Sequence, residues 1–557
     1  CLLLFVSFFF TARAYFDEYR ARSDLYEASD GDLADIAAYL NQTDLAGTSI
    51  YVGSIHYRHP TLAFLANAFS QIKWLVGAST AVYPADGGAF YLYPRSAQPD
   101  DEWFARYVPE AVPVAAPTAT DGAPAFSGYH LAAQPALSSE VLANFGGIVR
   151  LLDYHVEQAV SGEEVDVTVV WQIQAPSPYR GLTPFYHLVD PWGQRWGQAE
   201  PFQYAAEDWT PGEVVVDRVR VPIAPGAPPG GYVLEAGLYS QSDAARLAVT
   251  DSDSSFSGTT VPLPLTIARA EKPPDPDELG IRQRLDLDVN GGLTLLGVNL
   301  DTTQVRPGER VHLTMFWRAN PDPSASPSGQ RAAYTTHLFL QRIEGEDVFL
   351  YRGEPVHGTY PTSRWIENEI VVDRLNPRLP LDAASAAPDD YTLVLEVTTP
   401  NGETLLGPTA LGTIHLTDTN RTFDVPEMDH TQVVTFADQI EILGYDYDLG
   451  NARPGGDVDF TLYWRALAEM DTAYTVFTHL LDSDGQKVAQ QDNPPLNGAY
   501  PTTLWLPGEI IADPYNISIP ADLSPGDYSI KVGFYIAENG LRLAGPVVLD
   551  TVVTIRP

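Results

Sequence analysis

The chain has 557 residues, too many for one hydrophobic core, and its 45% hydrophobic and 11% aromatic content can fill several. Asp and Glu (72) outnumber Lys and Arg (33), and the net charge of −39 repels phosphate backbones, which excludes nucleic acid as a partner. The only cysteine, Cys1, excludes an intrachain disulfide, so stability has to come from packing.

In chain order, CLLLFVSFFFTARAYF opens on apolar residues broken only by Ser7, before Arg13, Arg20 and Arg22. Its apolar run covers about half of the ~20 residues that a bilayer span needs. Leu-Leu-Leu-Phe is unlike the polar tether of a lipidated cysteine, and no A-x-A-like cleavage site follows. The expectation for 1–27 is the end of a transmembrane helix and a juxtamembrane segment.

Residues 28–110 read as a small α/β domain. Asp30 stands as N-cap before a helical stripe of Leu33, Ile36, Ala37 and Leu40. SIYVGSI (49–55) is a short strand, and Pro60 suits the first turn of a helix over 59–69. IKWLVG, TAVYP and AFYLYP read as strands, with Asp86-Gly87-Gly88 as a hairpin turn between the last two. DDEWFARYVPE (100–110) is a short helix, and 111–145, rich in Ala, Pro, Thr and Ser, is a linker or crossing strand.

From about 146 the chain repeats itself. LLDYHV, LLGVNL and ILGYDY each precede a turn (SGEEV, RPGER, RPGGD) and a strand ending on Trp171, Trp317 or Trp464. A strand carrying His187, His337 or His479 follows. Next comes a phrase found three times: YAAEDWTPGEVVVD (204–217), YPTSRWIENEIVVD (360–373) and YPTTLWLPGEIIAD (500–513). Each copy closes on an alternating strand beginning GGY, DDY or GDY. Period-two alternation and turn spacing predict antiparallel sheets of immunoglobulin size, each burying its own core. The fold expected is therefore mostly β: three tandem immunoglobulin-like antiparallel β-sandwiches over 146–270, 283–418 and 432–557, after the α/β domain and the helix end. Trp171, Trp317, Trp464, Trp209, Trp365 and Trp505 are predicted to fill the sandwich interiors.

Few residues signal chemistry. His56-Tyr57-Arg58-His59 follows a strand and precedes a helix, a place where α/β folds bind ligands, and is the candidate ligand-binding cluster. One histidine per repeat, without a second ligand at metal spacing, reads as structural. Asp482-Ser483-Asp484-Gly485 and Asp251-Ser252-Asp253 resemble calcium-loop openings without the remaining ligands. No nucleophile, phosphate-loop or zinc signature occurs, so no catalytic residue, metal or cofactor is assigned.

ARAYFDEYRARSDLYEASDGDLADIAAYLNQ, IYVGSIHYRHPTLAFL and the later LYWRA and LPGE resemble the C-terminal extracytoplasmic region of bacterial, Chloroflexi-like, polytopic membrane glycosyltransferases of the dolichyl-phosphate-mannose-transferase-like (GT-C) type. The resemblance implies a bacterial cell-membrane protein with the bulk of this chain extracytoplasmic, whose polyprenyl-phosphate-sugar chemistry lies in a membrane module that this sequence does not include. It implies no turnover by the chain itself, attachment to the membrane through the N-terminal helix, and recognition of a glycan or glycoprotein acceptor, or spacing. The alternative is a membrane-anchored surface adhesion or carbohydrate-binding protein; a secreted glycoside hydrolase with appended sandwiches is a third.

Overall fold

A computed structural model describes residues 2–14, 26, 28–119, 122–134, 141–179, 181–242, 244–250, 256–321, 331–342, 347–381, 383, 389–417, 421–537 and 540–556. The chain divides into two compact units, Cys1–Glu271 and Lys272–Pro557. Both are mostly β, with immunoglobulin-like antiparallel sandwiches.

Helix α1 (Leu2–Arg13) begins the first unit. No helix among the described residues is long and apolar enough to cross a membrane. Helix α2 (Gly31–Gln42) buries the expected stripe of Leu33, Ile36, Ala37 and Leu40. Asp30 occupies the N-cap position in a left-handed conformation but makes no capping hydrogen bond; its carboxylate instead accepts from Thr61 Oγ1 at 2.6 Å. Next come β1 (Thr48–Ser54), α3 (Pro60–Leu65), β2 (Ile72–Val76), β3 (Thr80–Tyr83), β4 (Gly88–Pro94), α4 (Asp101–Tyr107), β5 (Val112–Pro113) and β6 (Phe126–Leu131). Strands β2, β1 and β4 run parallel, and β6 and β5 extend the sheet in the order β2-β1-β4-β6-β5. The sheet thus draws its last two strands from the stretch whose composition reads as linker or crossing strand.

The hairpin expected at Asp86-Gly87-Gly88 does not form. Strand β4, buried along its whole length, pairs with β1 and β6, whereas β3 leaves the sheet and pairs antiparallel with Val214–Asp217. The turn therefore joins strands of two different sheets.

The rest of the first unit comprises β7 (Ala143–Phe145), β8 (Val149–Val156), β9 (Ala159–Val160), β10 (Glu164–Ile173), β11 (Leu182–Val189), β12 (Arg195–Ala199), β13 (Val214–Pro222), β14 (Gly230–Ser240), β15 (Val249–Thr250), β16 (Phe256–Gly258) and β17 (Val261–Ala268). They make a seven-stranded sheet, β16-β15-β7-β8-β10-β13-β3, and a five-stranded sheet, β12-β11-β14-β17-β9.

The second unit holds β18 (Gln283–Val289), β19 (Leu293–Leu300), β20 (Gln304–Val305), β21 (Leu313–Ala319), β22 (Thr335–Gln341), β23 (Val348–Gly353), β24 (Ile370–Leu375), β25 (Asp389–Thr398) and β26 (Thr404–Leu416). Then come β27 (His430–Phe436), β28 (Ile440–Asp448), β29 (Asp457–Ala466), β30 (Thr475–Leu481), β31 (Lys487–Asn493), β32 (Ile510–Ser518), β33 (Gly526–Tyr535), β34 (Val547–Val548) and β35 (Val553–Ile555). Sheet β18-β19-β21-β24 shares one apolar core with β20-β26-β25-β22-β23. Sheet β27-β28-β29-β32 does the same with the sheet built on β30 and β33.

Equivalent registers recur in all three copies. Trp171, Trp317 and Trp464 face Val215, Val371 and Ile511 across the ladder. Leu152, Leu296 and Leu443 are each skipped by the pairing next to that Trp, a β-bulge that adds local twist. The turn before the Trp strand carries Gly162, Gly308 and Gly455, all at positive φ, where glycine alone costs no Cβ strain. Tyr232 and Tyr528 bond back to the carbonyls four residues earlier, Pro228 and Ser524, at 2.8 and 2.7 Å, the tyrosine corner of immunoglobulin-like sandwiches.

Five of the six tryptophans are buried: Trp171, Trp317, Trp464, Trp365 and Trp505. Trp209 is half-buried. A large-to-small change at a filled interior removes both transfer energy and packing, so Trp505→Ala should cost about 3–5 kcal/mol of unfolding free energy. Trp209→Ala should cost clearly less, and urea melts of the two variants check the order.

Candidate functional site

The repeated phrase is a closed hydrogen-bonded loop. Its tyrosine hydroxyl donates to its glutamate: Tyr204 to Glu213 at 2.8 Å, Tyr360 to Glu369 at 2.7 Å, Tyr500 to Glu509 at 2.8 Å. The same carboxylate accepts the backbone N–H of Thr210, Ile366 or Leu506, each at 2.8 Å. The indole N–H of Trp209, Trp365 and Trp505 donates to the carbonyl of the opening tyrosine at 3.3, 2.9 and 3.0 Å. A short 3-10 turn falls at the same place in each, Ala206–Asp208, Thr362–Arg364 and Thr502–Leu504. The turn before the glutamate needs positive φ, supplied by Gly212 and Gly508 and, in the middle copy, by Asn368, one of the few side chains that tolerates it.

In two copies this loop also receives other parts of its unit. In the first, Tyr51 of β1 donates to Glu213 at 2.7 Å and Lys73 of β2 pairs with the same carboxylate, which is 1% exposed. In the last, Arg421 bonds Glu509 at 2.6 Å and the Leu504 carbonyl at 3.0 Å. Arg306 and Arg378 there reach the Ala499 and Thr503 carbonyls. A polar cleft of about 590 Å³ lies beside them, lined by Arg306, Glu309, Arg310, Arg378 and Asp471, with its arginine donors divided between backbone carbonyls and the carboxylates of Glu309 and Asp471.

The cluster His56–His59 follows the C-terminal end of β1, the central parallel strand, from which the chain passes to β2 on one side before returning to β4 on the other. That is the switch point where parallel sheets open a ligand crevice. Here another part of the unit occupies it. Tyr57 donates to Asp208 at 3.2 Å, and Arg58, at positive φ, lies 3.5 Å from the same carboxylate. Tyr57 also packs edge-on against Phe202. His59 is buried and caps α3 through Nδ1, accepting from Thr61 N–H, and His56 stacks on it at 6.0 Å. Burial raises the Asp208 carboxyl above its ordinary value, opposed by the Trp74 N–H and Arg58.

The three repeat histidines are not equivalent. His187 and His479 face Glu235 and Lys531, three residues beyond the corner tyrosines Tyr232 and Tyr528. His337 faces Glu396, five beyond Tyr391. The letters align, but the middle strand is shifted by two residues in the ladder. Burial first, then neighbouring cations, lowers all three imidazoles below their ordinary value.

Asp482 is a hairpin turn residue, its Oδ1 accepting from Asp484 and Gln486 N–H. Asp251-Ser252-Asp253 lies outside the described residues. Among the described residues no group of His, Cys, Asp and Glu is arranged to hold a metal.

A cavity of about 30 Å³ lies in the first sandwich, lined by Trp171, Leu182, Tyr204, Trp209 and Asp217 among others. This is room for about one water, far too little for a sugar ring. Its cause is local. Ladder position places Leu182 where the later copies have Tyr334 and Tyr474. Ala206 stands where Thr362 and Thr502 stitch the loop to the backbone at residues 332 and 472.

The last residue of each phrase is a buried aspartate. Burial pushes Asp217 up from 3.8 to about 6 and Asp373 to about 7, and raises Asp513 as well. The folded state therefore holds these protons more firmly than the unfolded chain does. Their contribution is most favourable at low pH and is lost as pH rises from about 4 to about 7. Asp373→Asn keeps an acceptor for the Val356 N–H, 2.9 Å from Oδ1 in the wild type, and removes the charge. The melting temperature of wild type relative to this variant should fall across that window and be flat above it; thermal melts in a buffer series check this.

No family model matches the chain, and no curated protein matches it. Among solved structures it is similar to the C-terminal domain of wzt, at 14% identity and TM-score 0.18, over 25% of this chain and 83% of that one. It is also similar to the FN1-FN3 domains of chicken CNTN1, at 10% identity and TM-score 0.16, over 72% and 97% of the two chains. A third is dimeric latent PorU from Porphyromonas gingivalis, at 11% identity and TM-score 0.17, with 77% of this chain covering 35% of that one. At these scores none bears on function.

Proposed function

We propose that the chain is a non-catalytic extracytoplasmic region of a bacterial polytopic membrane glycosyltransferase of the GT-C type. In this reading it is three tandem immunoglobulin-like sandwiches behind a small α/β domain, serving acceptor glycan recognition or spacing. The family part rests on the resemblance of 12–42, 50–65 and the repeated phrases. The role rests on one observation, that the most strongly repeated residues are spent on interior bonds and on joints within each unit. Glu213 and Glu509, which in a cleft would be candidates for acid or base chemistry, are 1% and 2% exposed and bonded to Tyr, Lys or Arg. Such residues space and orient.

Two measurements bear on this. The gene upstream of the codon for Cys1 should encode roughly eight or more apolar segments of bilayer-spanning length; a lone anchor there would favour a surface adhesion or carbohydrate-binding protein. Removing the cation from a buried carboxylate pair is costly, so Lys73→Met should lose about 3 kcal/mol of stability to denaturant. A neutral effect would contradict the joint as the element that fixes spacing.

A further inference from the structure

The buried aspartate that ends each repeated phrase is bonded differently in the first copy. In the other two its donor is a backbone N–H from a short turn just ahead of the phrase, Val356 to Asp373 and Leu496 to Asp513, both at 2.9 Å. The first copy has no room for that turn. Ala199, Tyr351 and Gln491 stand on one rung of the ladder, opposite Tyr186, Leu338 and Thr478. From that rung to the tyrosine of the phrase the chain takes five steps in the first copy, to Tyr204, and nine in each of the others, to Tyr360 and Tyr500. The difference falls where the others form the turns Val356–Gly358 and Pro495–Gly498.

Asp217 finds its partner on another part of the unit. Thr80 of β3 lies 2.6 Å from Asp217 Oδ1, within the four-residue ladder that joins β3 to β13. The same hydroxyl lies 3.3 Å from Gln203 Oε1, and Gln203 Nε2 donates to the Arg218 carbonyl at 2.8 Å. Thr80 is fully buried and Asp217 nearly so, and Asp217 lines the cavity of about 30 Å³.

A hydroxyl has one hydrogen to give. With Asp217 ionised, Thr80 can serve the carboxylate or Gln203, and the other acceptor is left without it, which is costly inside a protein. With Asp217 protonated, the acid donates to Thr80 and Thr80 donates to Gln203. A chain of bonds then runs from β13 through β3 to Gln203 with every member satisfied. The N–H groups that serve Asp373 and Asp513 can only donate, so the other two copies have no such relay.

The surroundings favour the protonated form. Burial raises the Asp217 carboxyl from 3.8 to about 6, opposed only by the Thr80 bond. β10 and β14 present Trp171 and Leu238 to the same cavity. The titratable groups facing Asp217 are Tyr186 of β11 and Tyr204, itself bonded to Glu213, and burial holds both phenols well above their ordinary value. Arg218, next along β13, is engaged by Asp100 and Asp166.

We propose that the seam between β3 and β13 is a proton-operated latch, closed while Asp217 carries a proton and loosened when it does not. β3 follows directly on the parallel sheet in sequence, so the latch sets how firmly the α/β part of the unit is held to the first sandwich. Opening the seam returns Asp217 to water and to its ordinary value. The latch is therefore strongest below about pH 4, weakens as pH rises to about 6, and is constant above that.

Hydrogen exchange of the full chain, read by mass spectrometry over a pH series and corrected for the intrinsic rate at each pH, tests this. Peptides covering 80–83 should be less protected than those of β10 at every pH, and their protection should fall about a hundredfold between pH 4 and pH 6. Asp217→Asn, which cannot ionise, should abolish the fall. Gln203→Ala removes the competing acceptor and should shrink the fall to about tenfold or less, whereas a carboxyl raised by burial alone would titrate the same with or without Gln203. Protection at 80–83 that is flat from pH 4 to pH 6, or equal to that of β10 throughout, overturns the latch. A fall that persists in Asp217→Asn, or is undiminished in Gln203→Ala, overturns it as well.

Discussion

The structure depends on a buried glutamate that closes a loop. A carboxylate out of water is costly unless its oxygens are bonded. Glu213, Glu369 and Glu509 each take a tyrosine hydroxyl and a backbone N–H from within the same short phrase. Satisfying the carboxylate fixes the loop, the loop fixes the tyrosine carbonyl, and that carbonyl holds the indole in place. The indole can then fill one end of the interior, as Trp505 does at 0% exposure. The conformation of the phrase is therefore set by its own residues, which is how it can be reused with little change.

A loop that closes on itself still leaves carboxylate oxygens and carbonyls at its edge, and the chain uses them as joints. Tyr51 and Lys73 from the parallel sheet meet Glu213 in the first unit. Arginines 306, 378 and 421 meet the corresponding loop at 499–509 in the second. In a chain with only 33 cations against 72 acids, placing several of the positive charges at such joints ties the repeated element to its neighbours. Asp208 plays the same part for Tyr57 and Arg58.

The repeat, the interior tryptophans and the period-two strands were legible in the letters, because burial imposes residue type and spacing locally. The departure of β3 to the sheet containing β13 was not, since its partner lies far along the chain and only pairing identifies it. The histidines misled for a related reason. Thr-Thr-His in the middle copy matches Phe-Thr-His in the last by letter, while the ladder sets them two residues apart. The ligand-like position of His56–His59 was readable from strand and helix order, but the Asp208 that occupies it comes from a distant segment.

What all three copies keep closes the loop on its glutamate and seats the tryptophan beside it. The most direct test of this is amide hydrogen exchange at Ile366 and Leu506, whose N–H groups are bonded to buried carboxylates. If the glutamate-closed loop is part of each core, both amides should exchange only through global unfolding, with the same free energy as the slowest strand amides of β21 and β29. Exchange through a local opening far below the global free energy would contradict the account.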